Sequence, residues 1–148
     1  MPARASDPLI GFSFSLDISG KIAGYFTELS GLSSETDIVE HKVTDPAGRD
    51  FIQKIPGRTK YGDITLKRGI TDVMDMWKWR QQVEKGDIVG ARVNCTITMY
   101  NQALEPIAKW NLTNAWPVKI SGPSLQTDGN NMGVEELTLT HEMMERSM

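Results

Sequence analysis

The sequence predicts a mainly β protein, either a small antiparallel β-barrel or a packed β-sandwich of six to seven strands with one flanking α-helix. Several segments alternate apolar and polar residues with a period of two, which is typical of half-buried strands. Only one segment changes to helical periodicity, and strands do not alternate with helices as they do in β-α-β proteins. The 148 residues are enough for one domain with one core.

The N-terminal part of the chain predicts a flexible segment followed by strands. Residues 1–8 are small or polar and are expected to form a flexible N-terminal arm. The segment Leu9–Ile18 alternates strictly, the next two residues predict a turn, and a second strand is expected over Ile22–Leu29. The segment Ser34–Val43 is polar on both faces and lacks helix signals. We therefore expect an extended strand there, at a sheet edge or in a subunit interface.

Residues 44–58 are predicted to form a long connection. The residues that interrupt regular structure there are Pro46, Gly48, Pro56 and Gly57. The same stretch carries the apolar side chains Phe51, Ile52 and Ile55, which need a burial partner. Burial within the same domain is the more common solution, and burial against another subunit is the alternative.

One helix is predicted over residues 72–84. Thr71 or Asp72 suits its N-terminal cap, and Gly86 suits the position beyond its C-terminal end. Side chains at spacings of three and four define a stripe along this helix, formed by Val73, Met76, Trp77, Arg80 and Val83. Trp79 lies off this stripe and is predicted to be an interface anchor.

The C-terminal half returns to strand patterns. Strands are predicted over Ile88–Tyr100, Leu104–Trp116 and Val134–Met143, with a turn over Asp128–Asn131. The first of these strands places Cys95 on its apolar face, where a lone cysteine behaves as a small core hydrophobe. The polar residues on its opposite face are Arg92, Asn94, Thr96 and Thr98.

Composition and charge exclude several classes of protein. A formal net charge of −3, without a basic cluster, argues against a nucleic-acid-binding protein. A single cysteine excludes an intrachain disulfide framework and a cysteine-rich zinc site. The sequence contains no apolar run of about 18 residues and no signal-peptide pattern at its start, so synthesis in the cytoplasm is expected.

The sequence contains no recognisable catalytic, cofactor-binding or metal-binding motif. His41 and His141 are isolated, and Glu135, Glu136 and Glu142 near His141 lie in a pattern typical of a solvated or interfacial strand face. The spacings of a nucleophile elbow, a phosphate-binding loop and an EF-hand are absent. We therefore expect a protein that is not an enzyme and that binds no cofactor.

Several segments, taken in order, resemble one known family. These segments are Phe12–Ile18, Phe26–Leu32, Pro56–Gly57, Ile64–Thr71, Asn114–Lys119 and Val134–Glu142. A helix that carries Trp77 lies between the fourth and the fifth. Across residues 9–145 the chain resembles the tail-tube proteins shared by contractile phage tails and extracellular contractile injection systems.

The resemblance implies a single tail-tube domain over residues 1–148 that works by self-assembly. Six copies would form a ring, and rings would stack into a hollow inner tube that delivers cargo or DNA. The implied partners are a surrounding sheath, baseplate and spike proteins, and cargo or a tape-measure protein in the lumen. The finished protein would therefore reside in a phage tail or an extracellular injection particle.

The resemblance also assigns roles to two sets of side chains. Residues 44–58 would contact the next ring, with Phe51, Ile52 and Ile55 as the inter-ring contacts. The lumen-facing candidates are Arg92, Asn94, Thr96 and Thr98.

Two alternatives remain open at the level of sequence. The chain would instead be a tube initiator if it joins the first ring to the spike and baseplate, and it would then occur in few copies per particle. A monomeric ligand-binding β-sandwich is the alternative from another class, in which Trp79 or Trp116 would stack on the ligand.

Overall fold

Strand pairing dominates the architecture. A computed structural model of the protein describes residues 12–69, 74–122 and 133–148. The elements in these residues are β1 (Ser13–Ile18), β2 (Lys21–Phe26), β3 (Glu28–Ser30), β4 (Ser34–Thr44), β5 (Asp50–Tyr61), β6 (Ile64–Gly69), α1 (Asp75–Glu84), α2 (Ile88–Ala91), β7 (Val93–Tyr100), β8 (Pro106–Ser121), β9 (Val134–Thr140) and β10 (Met143–Arg146). The N-terminal arm over residues 1–8 and the turn over Asp128–Asn131 were predicted outside these described residues.

The main sheet has eight antiparallel strands and curls on itself. Its strand order is β2-β1-β7-β8-β9-β6-β3, and β10 pairs with β8. The sheet bends along the 16-residue strand β8, because the first part of this strand pairs with β7 and its last part pairs with β9. The two ends of the sheet, β2 and β3, are separated in the chain by Thr27 alone. The sheet is therefore barrel-like, although no backbone ladder joins β2 to β6 in the described residues.

The core fills the concave side of this curled sheet. Its largest fully buried apolar side chains are Leu16, Phe26, Ile64, Leu66, Met76, Ile97, Leu112, Leu137 and Leu139. The register places Ile64 opposite Leu139 and Leu66 opposite Leu137, so alternate positions of paired strands face the core, as a period of two requires. Helix α1 contributes Met76 and Trp79 to this core.

The mainly β class with a flanking helix is confirmed, but the chain forms more strands than the sequence predicts. The predicted connection over residues 44–58 is wrong, since most of it is strand β5, paired with β4 from Ser34↔Tyr61 to Thr44↔Asp50. Pro56 and Gly57 are tolerated because β4 is the one partner of β5 among the described residues, which leaves the other edge of β5 free of ladder bonds there. The ladder also changes register opposite them, between Thr36 and Ile38.

The helical region differs from its prediction in two ways. Helix α1 begins at Asp75, while residues 72 and 73 of the predicted helix lie outside the described part of the chain. The start of the predicted strand Ile88–Tyr100 is the short helix α2. The Asp87 side chain caps this helix by accepting a hydrogen bond from the Gly90 amide at 3.0 Å.

Candidate assembly surfaces

Strands β4 and β5 form an extended hairpin, Ser34–Tyr61, called the hairpin below. The two strands make a sheet of their own, and none of their residues is buried. Its tight turn is held by the Asp45 carboxylate, which accepts a hydrogen bond from the Arg49 amide at 2.8 Å. Gly48 adopts a φ of +81°, which favours glycine. The hairpin therefore keeps its shape through its own backbone ladder, without a core.

The cross-strand register divides the apolar side chains of the hairpin between two faces. Val39 lies opposite Ile55 and Val43 opposite Phe51, so these four share the first face. Neighbouring residues in a strand point to opposite sides. The second face therefore carries Ile38, Ile52 and Pro56, in which Ile38 pairs with Pro56.

This division places the three predicted inter-ring residues on different faces. Phe51 and Ile55 lie together on the first face, whereas Ile52 lies on the second, so the three side chains do not form one patch. Their exposed fractions are 49%, 42% and 51%, and Ile38 reaches 62%. Exposed apolar side chains on both faces of a projecting hairpin are typical of a segment that is covered by partner chains.

The root of the hairpin is fixed to the main sheet by short contacts. The Gly62 amide donates to the Ser33 carbonyl at 3.2 Å, and Gly31 has a φ of +91° with its Cα facing the Asp63 carbonyl. His141, which is buried, places Nε2 3.1 Å from the Gly62 carbonyl oxygen. This histidine therefore has a structural position, and no group of three potential metal-ligating side chains occurs in the described residues.

A second surface is the polar face of the strands β1, β7, β8 and β10. One row across it is formed by the paired residues Asp17, Thr96, Asn111 and Glu145. The Thr96 hydroxyl donates to Asn111 Oδ1 at 3.1 Å. A shallow cleft of about 340 Å³ is lined by three residues of this row, Asp17, Thr96 and Asn111, and by neighbours that include Asn94, Cys95 and Leu112. The row is thus polar, with two carboxylates beside neutral hydroxyl and amide groups.

The predicted lumen-facing residues occupy different environments. Arg92 and Asn94 are exposed and Thr96 is half-buried. Thr98 is only 6% exposed, because it lies between Ser15 of β1 and Lys109 of β8, so it offers no open surface in the subunit.

Sequence reasoning missed three members of the row, namely Asp17, Asn111 and Glu145. The alternation within β1 already placed Asp17 on a polar face. Its alignment with Thr96, however, depends on the pairing of strands that are distant in sequence.

Trp79 is not an interface anchor. Its side chain is 7% exposed, and its indole Nε1 donates to the Ala91 carbonyl of α2 at 2.7 Å. The same burial rules it out as a stacking platform for a ligand. Trp77, which was predicted to pack on the helix stripe, is half-buried and donates from Nε1 to Glu135 Oε1 at 2.8 Å.

Cys95 confirms its prediction as a core residue. It is 2% exposed, and burial together with the nearby negative charge of Asp17 raises its pKa from 9.0 to about 12. A thiol in this state is a poor nucleophile, because the thiolate is the reactive form.

These features define a class of protein: a β subunit with an exposed hairpin that is apolar on both faces and with a polar sheet face. The chain belongs to the T4-like virus tail tube protein gp19 family, whose model matches residues 11–145. It is therefore a structural tube protein, and the family is not one of enzymes. No curated protein matches the chain significantly.

Solved structures of tube assemblies are similar to the chain. A chain of the extracellular contractile injection system PVC sheath-tube complex in the extended state is 25% identical, with a TM-score of 0.76 over 97% of this chain and 93% of that one. A chain of the PVC sheath/tube terminator is also 25% identical, with a TM-score of 0.74 over 99% and 100%. Hcp1 from Flavobacterium johnsoniae, 17% identical with a TM-score of 0.54 over 90% and 94%, shares the fold.

The helices of the described residues are short. None of those within 12–69, 74–122 and 133–148 is long and apolar enough to cross a membrane.

Proposed function

We propose that this chain is the main subunit of the inner tube of a contractile tail or injection system, and that it forms hexameric rings stacked around a hollow lumen. The observation that carries the proposal is the hairpin with apolar side chains exposed on both faces. One neighbour can cover one face only. A ring-and-stack assembly supplies two neighbours to the hairpin of every subunit.

In this proposal the hairpin lies between rings and contacts two partner chains at once. Phe51 and Ile55 pack against one partner through the first face, and Ile52 packs against the other through the second face. Full burial of an exposed Val, Ile or Phe side chain contributes about 1.5–3 kcal/mol, and about half of this is available to side chains that are already half-buried in the subunit. The contribution is repeated in each of the six subunits of a ring, so modest single contacts produce a stable stack.

The polar sheet face lines the lumen in this proposal. Asp17, Thr96, Asn111 and Glu145 join the exposed Arg92 and Asn94 on this wall. Hydroxyl and amide groups are already solvated, and charges of both signs are mixed among them. Such a wall binds a passing chain weakly, which suits the transit of cargo, DNA or a tape-measure protein.

The similar assemblies support the proposed outer partners. One PVC structure is named as a sheath-tube complex, and a 20% identical chain occurs in the structure of the anti-feeding prophage baseplate. We accordingly propose a sheath around this tube and a baseplate with its spike at one end. The role of the chain is mechanical and not catalytic. It is made in the cytoplasm and then assembled into the particle.

Negative-stain microscopy of the purified protein tests the proposal. Rings or tubes are expected, alone or after addition of a baseplate preparation, and quantitative mass spectrometry of particles should find many copies of the chain. A strict monomer at high concentration in both conditions would contradict the proposal. A few copies per particle would instead support a tube initiator.

A further inference from the structure

The turn between β7 and β8, residues 101–105, is closed by its own hydrogen bonds. The Asn101 amide donates to the Glu105 carbonyl at 3.1 Å, and the Leu104 amide donates to the Asn101 carbonyl at 3.0 Å. The Asn101 side chain adds two bonds, because its Oδ1 accepts from the amides of Ala103 and Glu105 at 2.9 and 3.0 Å. These bonds hold the backbone of the turn in one conformation.

The hairpin turn, residues 45–49, has the same pattern of bonds. The Asp45 amide donates to the Arg49 carbonyl, and the Gly48 amide donates to the Asp45 carbonyl, both at 2.9 Å. The Asp45 carboxylate takes the place of the Asn101 side chain, since it accepts from the Arg49 amide at 2.8 Å. The two turns therefore show how two different sequences form one bonding pattern.

The fourth position of each turn has a left-handed backbone, and at this position the two sequences differ. Gly48 occupies it in the hairpin with a φ of +81°, whereas Leu104 occupies it in the β7–β8 turn with a φ of +60°. Glycine adopts this conformation without a steric penalty, and asparagine tolerates it, but a bulky side chain such as leucine is strained there. Leu104 therefore makes the subunit less stable than a residue suited to this turn would.

The Leu104 side chain is not used for packing in the described part of the subunit. It is 74% exposed, and it belongs neither to the core nor to the apolar residues packed against the core. Strained backbone positions cluster where the strained residue has a function. Because the side chain is accessible and the hydrogen bonds hold the turn that carries it, contact with another molecule is the function that fits.

On the basis of the proposed function, we propose that Leu104 is an assembly contact, an apolar side chain that packs against a neighbouring copy of this chain. The strain at Leu104 lowers the stability of the isolated subunit. Burial of the leucine side chain in the assembly offsets this loss.

A second copy is the partner that suits Leu104, because stacked copies that meet head to tail use two different surfaces. The exposed apolar faces of the hairpin therefore need an apolar counterpart elsewhere on the next copy. The β7–β8 turn lies apart from the hairpin. It adjoins Pro106 at the start of β8, whereas the hairpin root contacts His141 beside the Trp116 part of this strand.

Leu104→Asn tests the proposal, with Ala103→Asn as the matched control in the same turn. Asparagine tolerates the left-handed backbone and removes the apolar side chain, so stability and assembly should change in opposite directions. The Tm of the unassembled subunit should rise by about 2–4 °C. The protein concentration needed for rings or tubes should rise by about tenfold or more. Ala103→Asn adds the same group at an exposed position and should match the wild type in both measurements.

Leu104→Met provides a second test, because it keeps both an apolar side chain and the strain. It should assemble like the wild type without a gain in Tm. Assembly of Leu104→Asn at wild-type concentrations would overturn the proposal, and loss of sheath binding by such tubes would place the partner outside the tube. An unchanged Tm of Leu104→Asn would overturn it as well, since the turn would then carry no strain. A wild-type protein that forms no rings or tubes would instead contradict the proposed function, and the role of Leu104 with it.

Discussion

The curled sheet and the hairpin are built by the same antiparallel pairing, yet they place their apolar side chains differently. In the curled sheet, one face of each strand supplies a shared core, and residues such as Leu66 and Leu137 are fully buried. In the hairpin, both faces are exposed, and Phe51 and Ile52 point in opposite directions without a core. The curled sheet therefore accounts for the stability of the subunit, and in the proposed function the hairpin accounts for its association.

The largest effect is expected from Glu135→Leu, which leaves the buried Arg68 guanidinium without the carboxylate that it meets at 2.9 Å. Removal of one partner of a buried pair lowers the free energy of unfolding by about 3–5 kcal/mol. Urea unfolding followed by circular dichroism measures this change. Glu136→Leu is the control, because Glu136 meets Lys67 at 4.0 Å in a half-exposed pair, and about 1 kcal/mol or less is expected there. Equal effects of the two substitutions would contradict the distinction between them.

A smaller effect is expected from Trp79→Phe. The substitution keeps most of the ring but removes the donor to the Ala91 carbonyl, so the free energy of unfolding should fall by about 1–3 kcal/mol. Assembly of the folded fraction should be unchanged. If the variant keeps its stability but no longer assembles, the result would instead support a role for Trp79 in an interface.

The smallest effect concerns reactivity at Cys95 and leaves the structure unchanged. Because the pKa of Cys95 is raised to about 12, the folded state favours the thiol over the thiolate. The resulting contribution to the free energy of unfolding is fully present below pH 9.0 and is lost as the pH rises towards 12. In mildly alkaline solution, maleimide should label Cys95 about a thousandfold more slowly than a hairpin cysteine. The comparison uses Gln53→Cys in a Cys95→Ser background, on unassembled subunits. Equal labelling rates would show that the curled sheet opens as readily as the hairpin.

The sequence predicted features that depend on local periodicity and failed where distant pairing decides. The period of two in β1 and β7 predicted strands and placed Cys95 in the core. Strand β5 was missed because Pro56 and Gly57 normally interrupt a strand. An edge position and a register shift, both set by β4, accommodate them.

The helix teaches the same lesson about packing. Trp77 and Trp79 are two residues apart on the helix. Helical periodicity placed Trp77 on the core-facing stripe, whereas Trp79 is the one that is buried. Helix α2 decides the outcome, because its Ala91 carbonyl accepts from Trp79. The two faces of the hairpin likewise followed from cross-strand register, which the composition of residues 44–58 did not reveal.

The most direct measurement of the central claim compares folding and assembly in one hairpin variant. Phe51→Asp with Ile52→Asp places a charge on each face, and Gln53→Asp is the control that adds charge at a polar, exposed position. Circular dichroism and thermal unfolding of the double variant should match the wild type, while negative-stain images should show no rings or tubes. Gln53→Asp should still assemble. Unfolding of the double variant, or tubes that form normally, would contradict the assignment of the hairpin to association.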